Sequence, residues 1–202
     1  MIEVFTIGYS GFQLLSFKDV LIKNNIKAVI DVRSSPYSKT YPEYNKENLK
    51  NFLYNYSIYY VFLGEECGAR QPDPKCYING KIDFDLVSNN HTFQNGISRI
   101  ESGAEKYPVA LMCAEKDPVT CHRTILICKN LKKNINIKIK HIIDMHTIQT
   151  HEQIENRLLK MHGLDQHSFI YTENERLNIA YKKQENRIAY KKENEETEED
   201  YE

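Results

Sequence analysis

Several features that mark particular classes of protein are missing from this sequence of 202 residues. No apolar run comes near the roughly 18 consecutive residues that a membrane-spanning helix needs. The segment MIEVFTIGYSGF at the start lacks the basic region and the long apolar stretch of a secretory signal peptide. These two absences predict a cytoplasmic protein that does not use a membrane as a partner.

The cysteine content and the charge argue against two further classes. Five cysteines are an odd number in a chain that is not small, which favours reduced thiols over a disulfide framework. The formal net charge of −1 gives no overall attraction for nucleic acid. The charge is uneven, because residues 171–202 hold 6 basic and 10 acidic residues and the remainder therefore carries a net +3. A mildly basic body fits a small anionic ligand or a modest nucleic-acid contact.

Strand-like and helix-like segments alternate along most of the chain. Apolar stripes with helical spacing separate the strand-like runs, and the first of these helices is predicted to begin at Ser16 with a capping box completed by Asp19. This alternation predicts an α/β fold with a mainly parallel, Rossmann-like three-layer sheet and helices on both faces. Short apolar runs that end in polar loops predict five strands, at residues 2–7, 28–32, 59–63, 109–112 and 139–143.

Composition divides the chain into three parts. A capping-box pattern at Thr150 indicates that helical structure resumes there. Within the body, residues 64–90 contain Gly and Pro and no clear core of their own, which predicts a long lid or binding loop. We expect an α/β domain at 1–148, a C-terminal helical extension packed on it at 149–192, and an acidic, disordered tail at 193–202.

The most informative segment is CAEKDPVTCHR, residues 113–123, which follows a predicted buried strand. Asp117 followed by Pro118 predicts the start of a helix whose first turns contain Cys121. Unpaired backbone N–H groups at the start of a helix favour anions and lower the pKa of a thiol. The segment therefore predicts a place for chemistry or for anion binding at the edge of the sheet.

Four side chains of this segment are candidates for catalysis. Cys113 or Cys121 is a candidate nucleophile, and Glu115 or His122 is a candidate for moving a proton. Core packing explains Cys121 equally well, because it falls on one apolar stripe with Cys128. The sequence leaves both explanations open, and it leaves open whether the protein is an enzyme.

Three arginines follow three different predicted strands. Because the carboxyl ends of parallel strands meet at one edge of a sheet, we expect Arg33, Arg70 and Arg123 to hold a small anionic ligand or a nucleotide. A buried ion pair with Asp31 is the competing explanation for Arg33. The other ligand-binding candidates lie in the same loops and are Tyr9, Ser10, Ser34 and Glu66.

Metal binding and phosphocysteine chemistry receive less support from the spacing. Cys113, Cys121 and His122 offer zinc ligands, yet seven residues between two cysteines is not a common zinc spacing. We therefore expect no metal and no other cofactor, with zinc as the exception to be checked. A loop of the form Cys-x5-Arg is also absent, because Val119 stands where the arginine is required.

Two further hypotheses remain beside the enzyme hypothesis. A nucleic-acid-binding module is suggested by tyrosines and lysines that alternate in the loop after the second predicted strand (the second loop). Such a loop can stack on bases and contact phosphates. A loop that packs on its own tyrosines gives the same pattern. The cysteines also suggest a thiol-based metal or redox sensor. The residues behind the nucleic-acid hypothesis are Tyr37, Lys39, Tyr41, Tyr44 and Lys46.

Several ordered motifs resemble one known family. TIGYSG, DVRSSPYS, FLGEECGAR and CAEKDPVTCHR are similar to the bacterial and archaeal "domain of unknown function 488" family, and IKHII and THEQIENRLLKMHGL continue the likeness. The resemblance covers most of the chain, roughly residues 1–165 and on to about residue 192. It implies a cytosolic α/β domain and no established activity. The family's motif positions correspond to Arg33, Glu66, Arg70, Cys113, Glu115, Cys121, His122 and Arg123.

Overall fold

A six-stranded sheet forms the centre of the fold, and the computed structural model describes residues 2–192. In chain order the strands are β1 (Ile2–Gly8), β2 (Ala28–Asp31), β3 (Tyr59–Phe62), β4 (Tyr77–Ile78), β5 (Lys81–Ile82), β6 (Val109–Cys113), β7 (Ile137–Ile142) and β8 (Ile148–Thr150). The central sheet has the order β3-β2-β6-β1-β7-β8, and β4 and β5 form a separate hairpin. All pairings in the central sheet are parallel except that of β7 with β8.

Helices cover both faces of this sheet, so the predicted three-layer α/β fold is confirmed. Helices α1 and α2 pack on one face, while α5, a π-helical turn and the C-terminal helices α7 and α8 pack on the other. The helices are α1 (Leu14–Lys23), α2 (Lys46–Tyr54), α3 (Gly64–Cys67), α4 (Phe84–Ser88), α5 (His91–Lys106), α6 (Lys129–Leu131), α7 (His151–Met161) and α8 (Glu173–Ile188), with the π-helical turn at Arg123–Cys128.

The central strand shows why the strands read as continuous apolar runs. Along β1, Phe5 and Ile7 pack beneath α1 and α2, whereas Val4 packs in the core on the opposite face. Because both faces are covered, alternate residues are buried in different layers and no polar alternation is left in the sequence. Among residues 2–192, the structure contains no helix that is both long enough and apolar enough to cross a membrane.

Two local predictions are wrong. The first helix begins at Leu14, and no side chain caps it, so the capping box predicted at Ser16 does not form. Residues 64–90 are not a bare loop, because they form α3, the β4–β5 hairpin and α4. Each of these elements is too short to display a period in the sequence. Their buried side chains nevertheless join the core, and they are Cys67, Cys76, Ile82, Phe84 and Val87.

A chain of buried hydrogen bonds links the centre of the sheet to the C-terminal helices. Thr6 Oγ1 lies 2.9 Å from His141 Nδ1, and His141 Nε2 lies 3.0 Å from Nδ1 of His151. The other nitrogen of His151 lies 3.2 Å from the hydroxyl of Tyr181, which donates to Glu155 at 2.8 Å. Polar groups on four elements, β1, β7, α7 and α8, are thus satisfied by one another.

The donor and the acceptor of each hydrogen bond in this series follow from the last bond, between Tyr181 and Glu155. Tyr181 has one hydroxyl proton and gives it to a carboxylate, so its oxygen accepts from His151. His151 therefore accepts from His141 at its second nitrogen, and Thr6 donates to His141. Both imidazoles are neutral in this arrangement. Burial agrees, because it lowers the pKa of His151 to about 4 and that of His141 well below its ordinary value.

We expect Tyr181→Phe to lower the free energy of unfolding by about 1–3 kcal/mol, since the buried Nε2–H of His151 then loses the hydroxyl that accepts from it and keeps only a Glu155 oxygen 3.5 Å away. Urea denaturation followed by circular dichroism measures the change. Tyr171→Phe is the matched control, because Tyr171 is 46% exposed and its replacement is expected to change stability by less than about 0.5 kcal/mol. Equal losses of stability in the two variants would show that the buried hydrogen bond between Tyr181 and His151 does not contribute to stability.

Candidate functional site

The thiol centre consists of Cys113, Glu115, Cys121 and His122 and lies just beyond the carboxyl end of β6. Cys121 Sγ lies 3.0 Å from Oε2 of Glu115, so the two groups share one hydrogen bond. His122 Nδ1 lies 3.9 Å from Cys113 Sγ and 3.8 Å from Cys121 Sγ. Both cysteines and His122 are buried, whereas Glu115 is exposed, although its carboxylate touches the buried sulfur. All four candidates for catalysis are therefore neighbours.

The backbone around Cys121 differs from the prediction. Asp117 caps only a 3₁₀ turn, Pro118–Thr120, by accepting from the N–H of Val119. Cys121 then adopts an extended conformation, with φ −126° and ψ 139°, and the helix starts after His122. The predicted placement of Cys121 in the first turns of a helix is therefore wrong. An Asp-Pro pair caps a single turn as readily as a helix, so the sequence alone does not distinguish the two.

Arg123 holds the loop from the inside. Its side chain is fully buried and donates to the backbone oxygens of Glu115 at 2.6 Å and Lys116 at 3.2 Å. Its own backbone N–H points to Cys121 Sγ at 3.5 Å. The guanidinium thus serves as a structural tether and also places a positive charge beside the sulfurs.

Opposite pKa shifts separate the two thiols. Burial opposes ionisation of Cys121, but the hydrogen bond with Cys113 and the positive charges of Arg123 and His122 hold the pKa of Cys121 well below its ordinary value. The hydrogen bond with Cys121 and burial raise the pKa of Cys113. Burial and the neighbouring sulfur raise the pKa of Glu115. The arrangement therefore favours one thiolate, on Cys121, with a neutral thiol and a carboxyl group around it.

The carboxyl end of β1 packs against the loop that contains Glu115 and Lys116. A Cβ atom added to Gly8 would lie 1.9 Å from the backbone oxygen of Glu115, so only glycine permits this approach. The next residues turn along the loop, and the N–H of Ser10 donates to the backbone oxygen of Ala114 at 3.1 Å. The exposed Ser10 and the buried Tyr9, both predicted ligand-binding residues, therefore lie next to the thiol-centre loop.

Helices from the far end of the chain complete the support of this loop. The buried Gln184 on α8 donates to the backbone oxygen of Val119 at 2.8 Å. Arg157 on α7 donates from Nη2 to both carboxylate oxygens of Asp117, at 2.8 and 3.0 Å. Neither residue is predicted from the sequence. No local signal identifies them, because each acts on a segment of chain that lies more than 35 residues away.

Arg33 forms its contacts on the face of the sheet opposite the thiol centre. Its guanidinium donates to Asp31 at 2.6 and 2.9 Å and to the backbone oxygen of Tyr44 at 2.8 Å. It also lies 5.1 Å from the ring centroid of Tyr9, while Nη1 has no hydrogen-bond partner among the described residues. Burial opposes the charge, but Asp31 raises the pKa of Arg33 above its ordinary value. The ion pair that the sequence offered as an alternative is thus present.

The remaining ligand-binding candidates have other polar partners. Arg70 is exposed, and its guanidinium stacks 4.6 Å from the ring centroid of Tyr190. Its backbone N–H donates to Ser34 Oγ at 2.8 Å. Glu66 forms an ion pair with Arg99 on α5. Arg33, Ser34, Glu66 and Arg70 therefore form no common pocket with the thiol centre through these contacts.

The tyrosines of the second loop pack on the protein itself. Tyr44 is fully buried and stacks on Tyr9, with ring centroids 4.5 Å apart, and Tyr41 meets the same ring edge-on. The hydroxyl of Tyr37 donates to Glu47 at 2.9 Å. Lys46 lies over the ring of Phe62. Such contacts are typical of a loop whose aromatic side chains stabilise its own conformation.

Within residues 2–192, two groups of side chains have donor atoms close enough to hold a metal ion. One is formed by Cys113, Cys121 and His122 of the thiol centre. The other consists of Cys128 with the two histidines of the buried chain. In each group the donor atoms lie within 4.8 Å of one another.

Comparison with known proteins agrees with the motif resemblance. No match is found among curated proteins or among solved structures. The family model described as "Domain of unknown function DUF488" matches residues 13–129, which is more than half of the chain and includes the whole thiol centre. The chain therefore belongs to the DUF488 family, as its ordered motifs predicted.

Proposed function

We propose that this protein is an enzyme and that the thiol centre is its active site, with an anionic substrate. The reaction class is hydrolysis or group transfer in which Glu115 moves a proton. The observation that carries this proposal is the 3.0 Å contact between Cys121 Sγ and Oε2 of Glu115. It places an activated sulfur and a carboxyl group in contact where the buried centre meets solvent.

The environment of Glu115 suits a general acid or base. Burial and Cys121 raise its pKa from the ordinary value for a glutamate. A carboxyl group shifted towards neutral pH both accepts and returns a proton efficiently. Glu115 is an exposed residue, whereas Cys121 is 1% exposed. Glu115 is therefore the group that meets the substrate first.

The surrounding charges support an anionic substrate. Arg123 lies beneath the loop and His122 beside it, and the neighbouring negative groups raise the pKa of both. Lys116 is exposed, and its side chain lies against Gly11, at the same rim as Ser10. Lys116 was not among the residues chosen from the sequence. A lysine and a hydroxyl at the rim offer donors to a phosphate or carboxylate.

We expect Glu115→Gln to lower kcat by about 10²–10⁴-fold, because glutamine keeps the shape of the side chain and cannot transfer the proton. Activity is sought by incubating the purified protein with anionic esters, amides and nucleotides and following products by mass spectrometry. Glu65→Gln is the matched control, since Glu65 is an exposed carboxylate on α3 and its loss is expected to leave kcat unchanged. Full activity of Glu115→Gln would refute the assigned role.

A further inference from the structure

In the thiol centre, the distances from the imidazole nitrogen to the two sulfurs are close to those of a tetrahedral zinc site, and all three donor atoms lie within 4.8 Å of one another. Zinc–sulfur bonds of about 2.3 Å and zinc–nitrogen bonds of about 2.0–2.1 Å place a sulfur and a nitrogen about 3.6 Å apart. His122 Nδ1 lies 3.9 Å from one sulfur and 3.8 Å from the other. His122 Nδ1 has a single lone pair, and it faces both sulfurs. A cation between the three atoms satisfies all of them.

The opposite side of the imidazole fixes which nitrogen faces the sulfurs. His122 Nε2 lies 3.0 Å from the backbone oxygen of Val32, which can only accept, so this nitrogen carries the proton. In neutral His122 the lone pair is then on Nδ1, directed at Cys113 and Cys121. Metal-binding histidines are commonly oriented in this way, with the second nitrogen donating to a backbone carbonyl. The imidazole is therefore preorganised as a ligand.

The charges of the centre balance when a divalent cation is present. Two thiolates, on Cys113 and Cys121, compensate one divalent ion, and the charge of the fully buried Arg123 interacts with that of Glu115. Two adjacent buried thiolates without a cation repel each other strongly, so a metal-free centre keeps one of them protonated. The donor set, two sulfurs and one imidazole, suits zinc better than a hard cation such as Mg²⁺.

We infer that Cys113, Cys121 and His122 bind one Zn²⁺ and leave its fourth position open beside Glu115. This inference rests on the proposed function and makes a metal-bound water the nucleophile in place of Cys121. Three protein ligands with one open position are the usual arrangement of a catalytic zinc. Zinc deaminases use the same elements, namely histidine and cysteine ligands and a glutamate that is not a ligand.

The reaction then proceeds as a metal-assisted hydrolysis. Water at the open position loses a proton to Glu115, and the resulting hydroxide attacks an electrophilic carbon or phosphorus atom of the substrate. The bond to the leaving group breaks with its electron pair, and Glu115 returns the proton to that group. Hydrolysis needs no redox partner, and the two cysteines remain ligands throughout.

The second group of possible ligands is already satisfied internally. The ring centroids of His141 and His151 are 5.3 Å apart and the facing nitrogens 3.0 Å apart, so the two rings meet in line across a hydrogen bond. A metal ion joining these nitrogens to Cys128 has to break that bond and to turn at least one ring. We therefore expect one zinc per chain and place it at the thiol centre.

The test is metal analysis of the protein purified without a histidine tag from medium that contains zinc. Wild type is expected to hold one zinc per chain, and Cys121→Ser and His122→Ala are expected to lose it. Cys67→Ser and Cys128→Ser are the controls and are expected to retain it, since both cysteines are buried outside the thiol centre. Circular dichroism shows which variants remain folded.

A second measurement on wild type covers the case in which a variant does not fold. Replacing zinc by Co²⁺ is expected to give the visible absorption of a tetrahedral thiolate site, and a chelator is expected to expose Cys113 and Cys121 together to alkylation. Wild type that binds neither Zn²⁺ nor Co²⁺ overturns the inference. Zinc that is lost from Cys128→Ser and retained by Cys121→Ser also overturns it.

The metal inference and the proposed function fail separately. A metal-free protein whose activity still depends on Glu115 overturns the zinc site and leaves the enzyme proposal with Cys121 as nucleophile. Stoichiometric zinc that follows Cys121 and His122, in a protein whose zinc-loaded form hydrolyses no anionic substrate, supports the metal site and overturns the enzyme proposal.

Discussion

Replacing Asp31 by asparagine is expected to lower the free energy of unfolding by about 3–5 kcal/mol, because it leaves a buried guanidinium without its counter-charge. Asp31 is fully buried, and both of its oxygens accept from Arg33. Tyr60 donates to the same carboxylate at 2.6 Å. Urea denaturation of wild type and variant measures the loss.

Two further variants separate the charge from the packing at this position. Asp31→Leu combined with Arg33→Met removes both charges and is expected to be more stable than Asp31→Asn, since no charge is left unpaired. Tyr60→Phe keeps the ion pair and is expected to cost about 1 kcal/mol, the usual contribution of one hydrogen bond. If Asp31→Asn is no less stable than Tyr60→Phe, the ion pair does not determine the stability of this region.

Lowering the pH from 7 to 4.5 is expected to destabilise the fold by about 2–3 kcal/mol through His151 alone. The pKa of His151 in the folded protein is about 4, against 6.5 for the free side chain. Between these values the unfolded chain binds a proton that the folded protein does not, so the free energy of unfolding falls as the pH falls. The loss begins near pH 6.5 and levels off below pH 4, and His141 adds to it.

The pH dependence of His151→Gln tests this assignment. Glutamine can both donate and accept in this position, so the variant keeps partners for its neighbours and loses the titrating group. The slope of the unfolding free energy against pH between 4.5 and 6.5 is expected to decrease by the equivalent of up to one bound proton per chain. His146→Gln, at an exposed position, is expected to keep the wild-type slope. Groups that face the histidine pair and contribute their own charges are Cys128, Arg123, Lys132, Glu155, Arg157 and Tyr181.

The layered fold could be predicted because the buried strands leave a strong signal. Strands such as β2 and β6 are apolar at nearly every position, which occurs when helices cover both faces of a parallel sheet. The segment 64–90 could not be resolved in the same way. Its elements are two to five residues long and show no period of their own; α3 and α4 pack on α5, and the hairpin is joined to Tyr190 by the backbone N–H of Ile82.

The residue types of the thiol centre could be predicted, but their partners could not. One segment of eleven residues supplies both cysteines, Glu115 and His122, so their proximity follows from the sequence. The face of the sheet on which the Arg33 side chain lies depends instead on the alternation of side chains along β2. This alternation puts Arg33 on the same face as Asp31, opposite the thiol centre. The contacts of Gln184 and Arg157 are long-range, and only the folded chain reveals them.

The position of β1 has a consequence for the synthesis of this protein on the ribosome. This strand comes first in the chain but lies between β6 and β7, pairing Val4 with Val109 on one side and with Ile139 on the other. At about 5–20 residues per second, the ribosome needs on the order of ten seconds to make the second partner. Both edges of this apolar strand are unpaired until β6 is made, and one edge is unpaired until β7 is made, so we expect nascent chains to depend on chaperones until β7 has emerged.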